Sequence, residues 1–153
     1  MIWFNIKELE TRLKNGVLSD KEAFNYLLIT LIFSSVVTYI GGSDNTNNWF
    51  IAIEILVSIV VTVIGTKKTF DINSAGDNKD YFKRFLSLSF VTGIRFLVLL
   101  IILAIPVGTI VYFVDKNLDI NENTKDLFNV ALMAVCEVIY YFMLINSFKR
   151  LNQ

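Results

Sequence analysis

The sequence predicts an all-α, polytopic membrane protein: four transmembrane helices in an up-down bundle, preceded by an amphipathic N-terminal helix. Three observations carry this. Hydrophobic residues make up 54% of the 153 residues and charged ones only 18%, with a mean hydropathy of +0.56; a soluble domain averages about 45–50% and about 25%. Four apolar runs approach or reach the ~20 residues a helix needs to cross a bilayer. Polar clusters too short to form domains of their own separate them, so consecutive helices are expected to run antiparallel.

The runs are 23–40, 49–65, 85–114 and 127–148. Between them lie GGSDNTNN at 41–48, TKKTFDINSAGDNKDYFKR at 66–84 and DKNLDINENTK at 115–125. Core helices of a soluble domain are shorter and keep a polar face. The stretch FLVLLIILAIPVGTIVYFV at 96–114 carries no charge on any face. The chain thus divides into an N-terminal segment, 1–22, a transmembrane domain, 23–148, with the connecting loop 66–84, and a short tail, 149–153.

Lysine and arginine set the orientation. Lys7, Arg12, Lys14 and Lys21 precede the first run; Lys67, Lys68, Lys79, Lys83 and Arg84 fall in 66–84; Lys149 and Arg150 follow the last run. Only Lys116 and Lys125 fall on the opposite side. Both termini and the 66–84 loop are therefore expected in the cytoplasm, as a multi-pass protein of a bacterial inner membrane. Aromatic residues at the boundaries fit: Tyr39, Trp49, Tyr112 and Phe113 outside, Tyr26, Tyr81 and Phe82 inside. A polar stretch of about twenty residues precedes the first run and no small-residue cleavage site follows it, so that run is expected to stay as an anchor.

Residues 2–14 (IWFNIKELETRLK) read as an amphipathic helix. Ile2, Ile6, Leu9 and Leu13 share one face, suited to the headgroup plane or to a neighbouring subunit, and Gly16 ends it. Ser19 and Glu22 form a capping box at the start of the first run. Asp77 or Asn78 is placed to cap a helix that begins ahead of the third run. Residues 79–114 would then measure about 54 Å against a hydrocarbon core of about 30 Å, so the helix projects from the membrane or breaks. Pro106, with Gly108 close behind, is the expected kink.

Three ionisable side chains fall inside apolar runs: Glu54, Arg95 and Glu137. Each costs about 2.5–3.5 kcal/mol near a helix centre on insertion scales, so each needs a partner or a wet surface. Arg95 and Glu137 sit on consecutive runs at similar depth and are the expected pair, with Glu54 second. Three roles are open: an ion pair fixing register or assembly, a wet path lined by Glu54 and Arg95, or snorkelling of Arg95 to the surface. Glu54, Ser58 and Thr62 form one polar stripe, and Thr30, Ser34 and Thr38 another; such stripes allow close helix contact.

The sequence has no histidine and one cysteine, Cys136, within an apolar run. It has no phosphate-binding glycine loop, nucleophile elbow or metal-ligand spacing. DINSAGDNKD at 71–80 lacks the glycine and terminal glutamate of a calcium loop. A non-enzyme without a cofactor is expected. With zero net charge, direct nucleic-acid binding is not expected. Lys67, Lys68, Lys79, Lys83 and Arg84 are candidates to contact anionic lipid or an acidic partner.

The four-run layout with cytoplasmic termini, together with 78-NKDYFKRFLSLSFVTGIRF-96, resembles the small membrane subunits (KwaA) of the Kiwa anti-phage system. That resemblance implies a homo-oligomer, taken as a tetramer, in the inner membrane, working with a soluble DNA-binding effector. The expected function is an oligomeric adaptor or sensor that docks a cytoplasmic effector in antiviral defence. A homo-oligomeric pore or ion channel is the alternative, and a small transporter is a third.

Overall fold

The computed structural model describes residues 1–40, 48–117 and 121–152, with the side chains of 35–40, 48, 112, 114–117 and 122 outside that description. The expected first loop, 41–48, therefore falls almost wholly outside it, as do the side chains of Thr38, Tyr39, Tyr112 and Lys116.

The described residues form five α-helices and no strand: α1 (Ile6–Lys14), α2 (Asp20–Ile40), α3 (Asn48–Ala75), α4 (Tyr81–Asn117) and α5 (Glu122–Leu151). Among the described residues, three helical segments are long and apolar enough to cross a membrane: Trp49–Ala75, Tyr81–Val111 and Asn123–Leu151. That is one fewer than the four expected, the run at 23–40 being the one not so placed.

The stop at Gly16 and the capping box at Ser19 act as the sequence predicts, while α1 starts at Ile6, later than the expected 2–14 helix. Asn5 caps α1, its side chain accepting from the Glu8 amide at 3.3 Å. Gly16 takes φ +66. Val17 N–H then bonds the Arg12 carbonyl and Gly16 N–H the Leu13 carbonyl, the paired reverse bonds of a Schellman motif. Ser19 and Glu22 exchange the reciprocal amide bonds of the capping box at 3.1 and 3.3 Å.

The 66–84 segment is mostly not a loop. α3 continues through Ala75 and α4 starts at Tyr81, so only residues 76–80 connect them. The physical reason lies in spacing: Thr66, Thr69 and Asn73 repeat every three or four residues, a helical period. Thr69 and Asn73 are buried. Neither Asp77 nor Asn78 caps α4. Asn78 and Asp80 adopt positive φ, 52° and 42°, and Asp80 offers its backbone carbonyl to Arg84 N–H.

Among the described residues the four long helices do not all pack side by side. α3 lies along α5, α5 touches α4, and α2 packs on α4; among the described residues α2 does not touch α3. Gly65 explains the intimacy of α3 with α5: a Cβ there would run into the Tyr141 ring. Thr30 and Ser34 of the first stripe face α4 instead, lining a cavity of about 520 Å³ with Phe90, Gly93 and Tyr140.

The core sits at one end. Among the described residues, every buried side chain but Val130 lies within residues 6–26, 69–92 or 144–151. α1 belongs to this core. Ile6, Leu9 and Leu13 are buried and dock on α4 and α5 of the same chain, not on lipid or a second subunit. Tyr26 is also a core residue, not a boundary aromatic: its hydroxyl accepts from Ile2 N–H at 2.8 Å and donates to the Ile2 carbonyl at 3.0 Å. Beyond this end the shafts are bare, and residues 101–111 are exposed throughout. The accessible surface is 10462 Å², against about 7,900 Å² for a compact monomer of this mass.

α4 is 37 residues long and runs unbroken through Pro106. Its first portion, 81–95, is held in the core end. The remainder, 96–117, would measure about 33 Å. Of the two outcomes expected for its length, breakage is not seen.

Candidate functional site

Three polar assemblies occur in this frame. The first is a clamp at the α3–α4 turn. Arg84 is 1% exposed. Its Nη1 donates to Asn73 Oδ1 at 2.8 Å, its Nη2 to Asp77 Oδ2 at 2.6 Å, and its Nη1 also to Asp77 Oδ1. The Arg84 bonds hold the Asp77 carboxyl below the usual carboxylate range. Around the clamp, Tyr81 bonds Thr69 at 3.0 Å and packs its ring against Phe70, Phe85 and Phe148.

Arg84 is thus a structural cation, not the surface contact expected of it; its carboxylate partner stands seven residues upstream, across the turn. Lys83 is also engaged, donating to Asp20 Oδ1 at 2.7 Å and to the Leu18 carbonyl at 3.3 Å. Lys67, Lys68 and Lys79 are exposed and make no ion pair among the described residues.

The second assembly joins α3 to α5. Ser58 Oγ donates to Glu137 Oε1 at 2.5 Å. The other carboxylate oxygen, Oε2, is buried without a partner. Thr66 and Tyr141 meet at 3.3 Å, two turns further along α3 and one further along α5. Glu54, on the same stripe as Ser58, is half-buried.

Arg95 does not pair with Glu137. Depth alone brings the two near each other, but rotation separates them. Glu137 shares the α5 face of Tyr141, which meets α3. Arg95 lies on α4 beside α1 and the last turns of α5, lining one cavity with Phe4, Lys7 and Arg150 and a second with Met143 and Asn146.

That makes the third assembly, a cationic cleft between α1, α4 and α5. Arg150 is held by a two-toothed contact to Glu10, Nε and Nη2 donating to Oε1 at 3.2 and 2.8 Å. It also donates to Ser147 Oγ at 3.0 Å. Arg95 and Lys7 have no acidic partner among the described residues. Thr92 lines the inner part of the cleft, and its hydroxyl is buried with no hydrogen-bond partner. Sequence reasoning singled out Arg95 by its apolar setting. It missed Lys7, Thr92 and Arg150, which only the docking of α1 brings together.

The fold and its polar assemblies define an all-α protein with at least three helices able to cross a membrane. No family model, curated protein or solved structure matches the chain.

Proposed function

We propose that the chain is a four-span inner-membrane protein that assembles with itself and docks a soluble cytoplasmic partner on its ordered end. One observation carries the reading: core, clamp and ion pairs gather at one end, while the apolar shafts beyond it stay uncovered by the chain itself. Bare shafts of this length suit lipid or further copies. The ordered end supports a docking role, because Lys67, Lys68 and Lys79 are exposed and make no ion pair among the described residues, on a platform stiffened by the Arg84 clamp. The defence role rests on the resemblance to KwaA proteins alone.

The test is the native mass of the complex, gently solubilised from cells that also express the neighbouring genes. An oligomer that retains a soluble protein, and loses it when Lys67, Lys68 and Lys79 become glutamate, supports the adaptor. A bare oligomer unchanged by those substitutions overturns it. One observation favours a pore as second reading: Glu54 is a half-buried carboxylate at bilayer depth with no partner among the described residues. Conductance that changes with Glu54→Gln would then be expected.

A further inference from the structure

We infer that the cleft between α1, α4 and α5 binds the phosphate of an anionic phospholipid headgroup, with Arg95 and Lys7 as its principal ligands. The inference rests on the membrane reading above. Two adjoining cavities, about 360 and 160 Å³, share Ile6, Arg95 and Arg150. Around them stand three cations, Lys7, Arg95 and Arg150, against one carboxylate, Glu10, which Arg150 already engages. The cleft therefore keeps two positive charges uncompensated.

Further in, the Thr92 hydroxyl is buried and unbonded. A buried hydroxyl without a partner is costly, and a phosphate oxygen is an acceptor it can satisfy. The rim points to the source of the phosphate. Phe4 and Phe142, at the two mouths, are 61% and 63% exposed. A soluble anion would gain nothing from them, whereas acyl chains would cover them. Residues 96–114 beyond Arg95 are uncharged and measure about 29 Å as helix, which matches the bilayer core, so Arg95 falls at headgroup depth.

This answers why an arginine interrupts an apolar run. Arg95 stands where the lipid-facing shaft meets the packed end, and its charge is neutralised by the bilayer itself. Guanidinium and ammonium together suit a phosphate that presents several oxygens.

Trp3 stands beside Phe4 and against Phe90, with a 5.3 Å ring separation, and serves as a local reporter. The chain has two tryptophans, so Trp49→Phe leaves Trp3 alone. In this background the full chain is placed in nanodiscs of phosphatidylcholine containing a few per cent of brominated phosphatidylglycerol or brominated phosphatidylcholine. Each unpaired cation near a membrane surface favours anionic lipid about fivefold. Brominated phosphatidylglycerol is therefore expected to quench Trp3 at a roughly twenty-fold lower mole fraction than brominated phosphatidylcholine. Arg95→Gln and Lys7→Gln should each reduce that preference about fivefold, while Lys79→Gln, in the α3–α4 turn and lining neither cavity, should not.

Equal quenching by the two lipids, or a preference insensitive to both cleft substitutions, overturns the inference. So does a Trp3 response to inorganic phosphate that depends on Arg95 in phosphatidylcholine discs without any preference for phosphatidylglycerol; the ligand is then a soluble phosphate. Alkaline carbonate extraction separates this from failure of the membrane reading: a chain released by carbonate was never inserted. Because Arg95 is exposed, its substitution should leave thermal unfolding unchanged, and a lowered Tm would mark it as structural instead.

Discussion

At the scale of single residues, hydropathy pattern finds charges but not their partners. Glu54, Arg95 and Glu137 stand out because they break apolar runs. Which face each presents depends on helix rotation, which a uniformly apolar shaft hardly encodes. Arg84 was hidden for the opposite reason, among other cations in a polar stretch. Its clamp gives a direct prediction. Asp77→Ala leaves a buried guanidinium held by Asn73 alone, and should cost about 3 kcal/mol, the low end for a broken buried pair, since Asp77 itself reaches solvent. Thermal unfolding in mild detergent measures it. The pH dependence follows in sign. The folded Asp77 carboxyl lies below its ordinary value, so its contribution is complete above the unfolded value near ~3.9. It is lost as pH falls further, through the folded value. Asp77→Asn should be less stable at neutral pH and show a shallower loss in acid. Asp20 and Glu22 are lowered as well, by Lys83 and by Ser19, so the acid loss should shrink without vanishing. An unchanged acid limb in Asp77→Asn would show that the clamp does not couple to stability.

At the scale of elements, apolar length was legible and polar packing was not. The four longer helices contain the apolar runs the sequence marked, α1 begins at Ile6 within the 2–14 segment expected, and the Schellman end at Gly16 and the capping box at Ser19 follow from residues that admit few other roles. The stretch 66–75 read as loop because it is polar, yet Thr66, Thr69 and Asn73 keep the helical period that Glu54, Ser58 and Thr62 begin. A helix seam in a membrane protein is built from small and polar residues, so the seam there resembles a loop in composition and differs only in spacing. Gly65 is its tightest point. Gly65→Ala drives a methyl into the Tyr141 ring and should cost about 1–3 kcal/mol as overpacking. Tyr141→Ala removes the obstructing ring. The pair should therefore be non-additive, with Gly65→Ala close to neutral once Tyr141 is gone. Strict additivity in a double-mutant cycle would mean that α3 and α5 do not approach here. The neighbouring Ser58→Ala leaves the Glu137 carboxylate without its donor. Interhelical bonds of this kind average about 0.6 kcal/mol in membranes, so this change should be the milder of the two.

At the scale of the whole molecule, the open question is the fourth crossing, and the packing at the ordered end bears on it. Asp20, at the start of α2, pairs with Lys83, at the start of α4. α3 ends a five-residue turn away from the same point. The start of α2 and the end of α3 therefore share one end of the molecule. If α3 crosses the bilayer, it begins on the far side, and α2 is the element that carries the chain there. At 21 residues, α2 would measure about 32 Å, enough for a core of about 30 Å. Single-cysteine labelling decides it. With Cys136 replaced by serine, cysteine is placed in turn at Lys14, Ser74 and Asn123, all exposed. Under four crossings, an impermeant maleimide added to intact spheroplasts should label Asn123→Cys alone. Lys14→Cys and Ser74→Cys should react only after lysis. Opposite accessibility of Lys14→Cys and Ser74→Cys would remove the crossing by α2, and equal accessibility of Ser74→Cys and Asn123→Cys would remove the one by α4. The positive-inside count argues for the first pattern, because eleven of the thirteen lysines and arginines outside the apolar runs fall on the side of the ordered end.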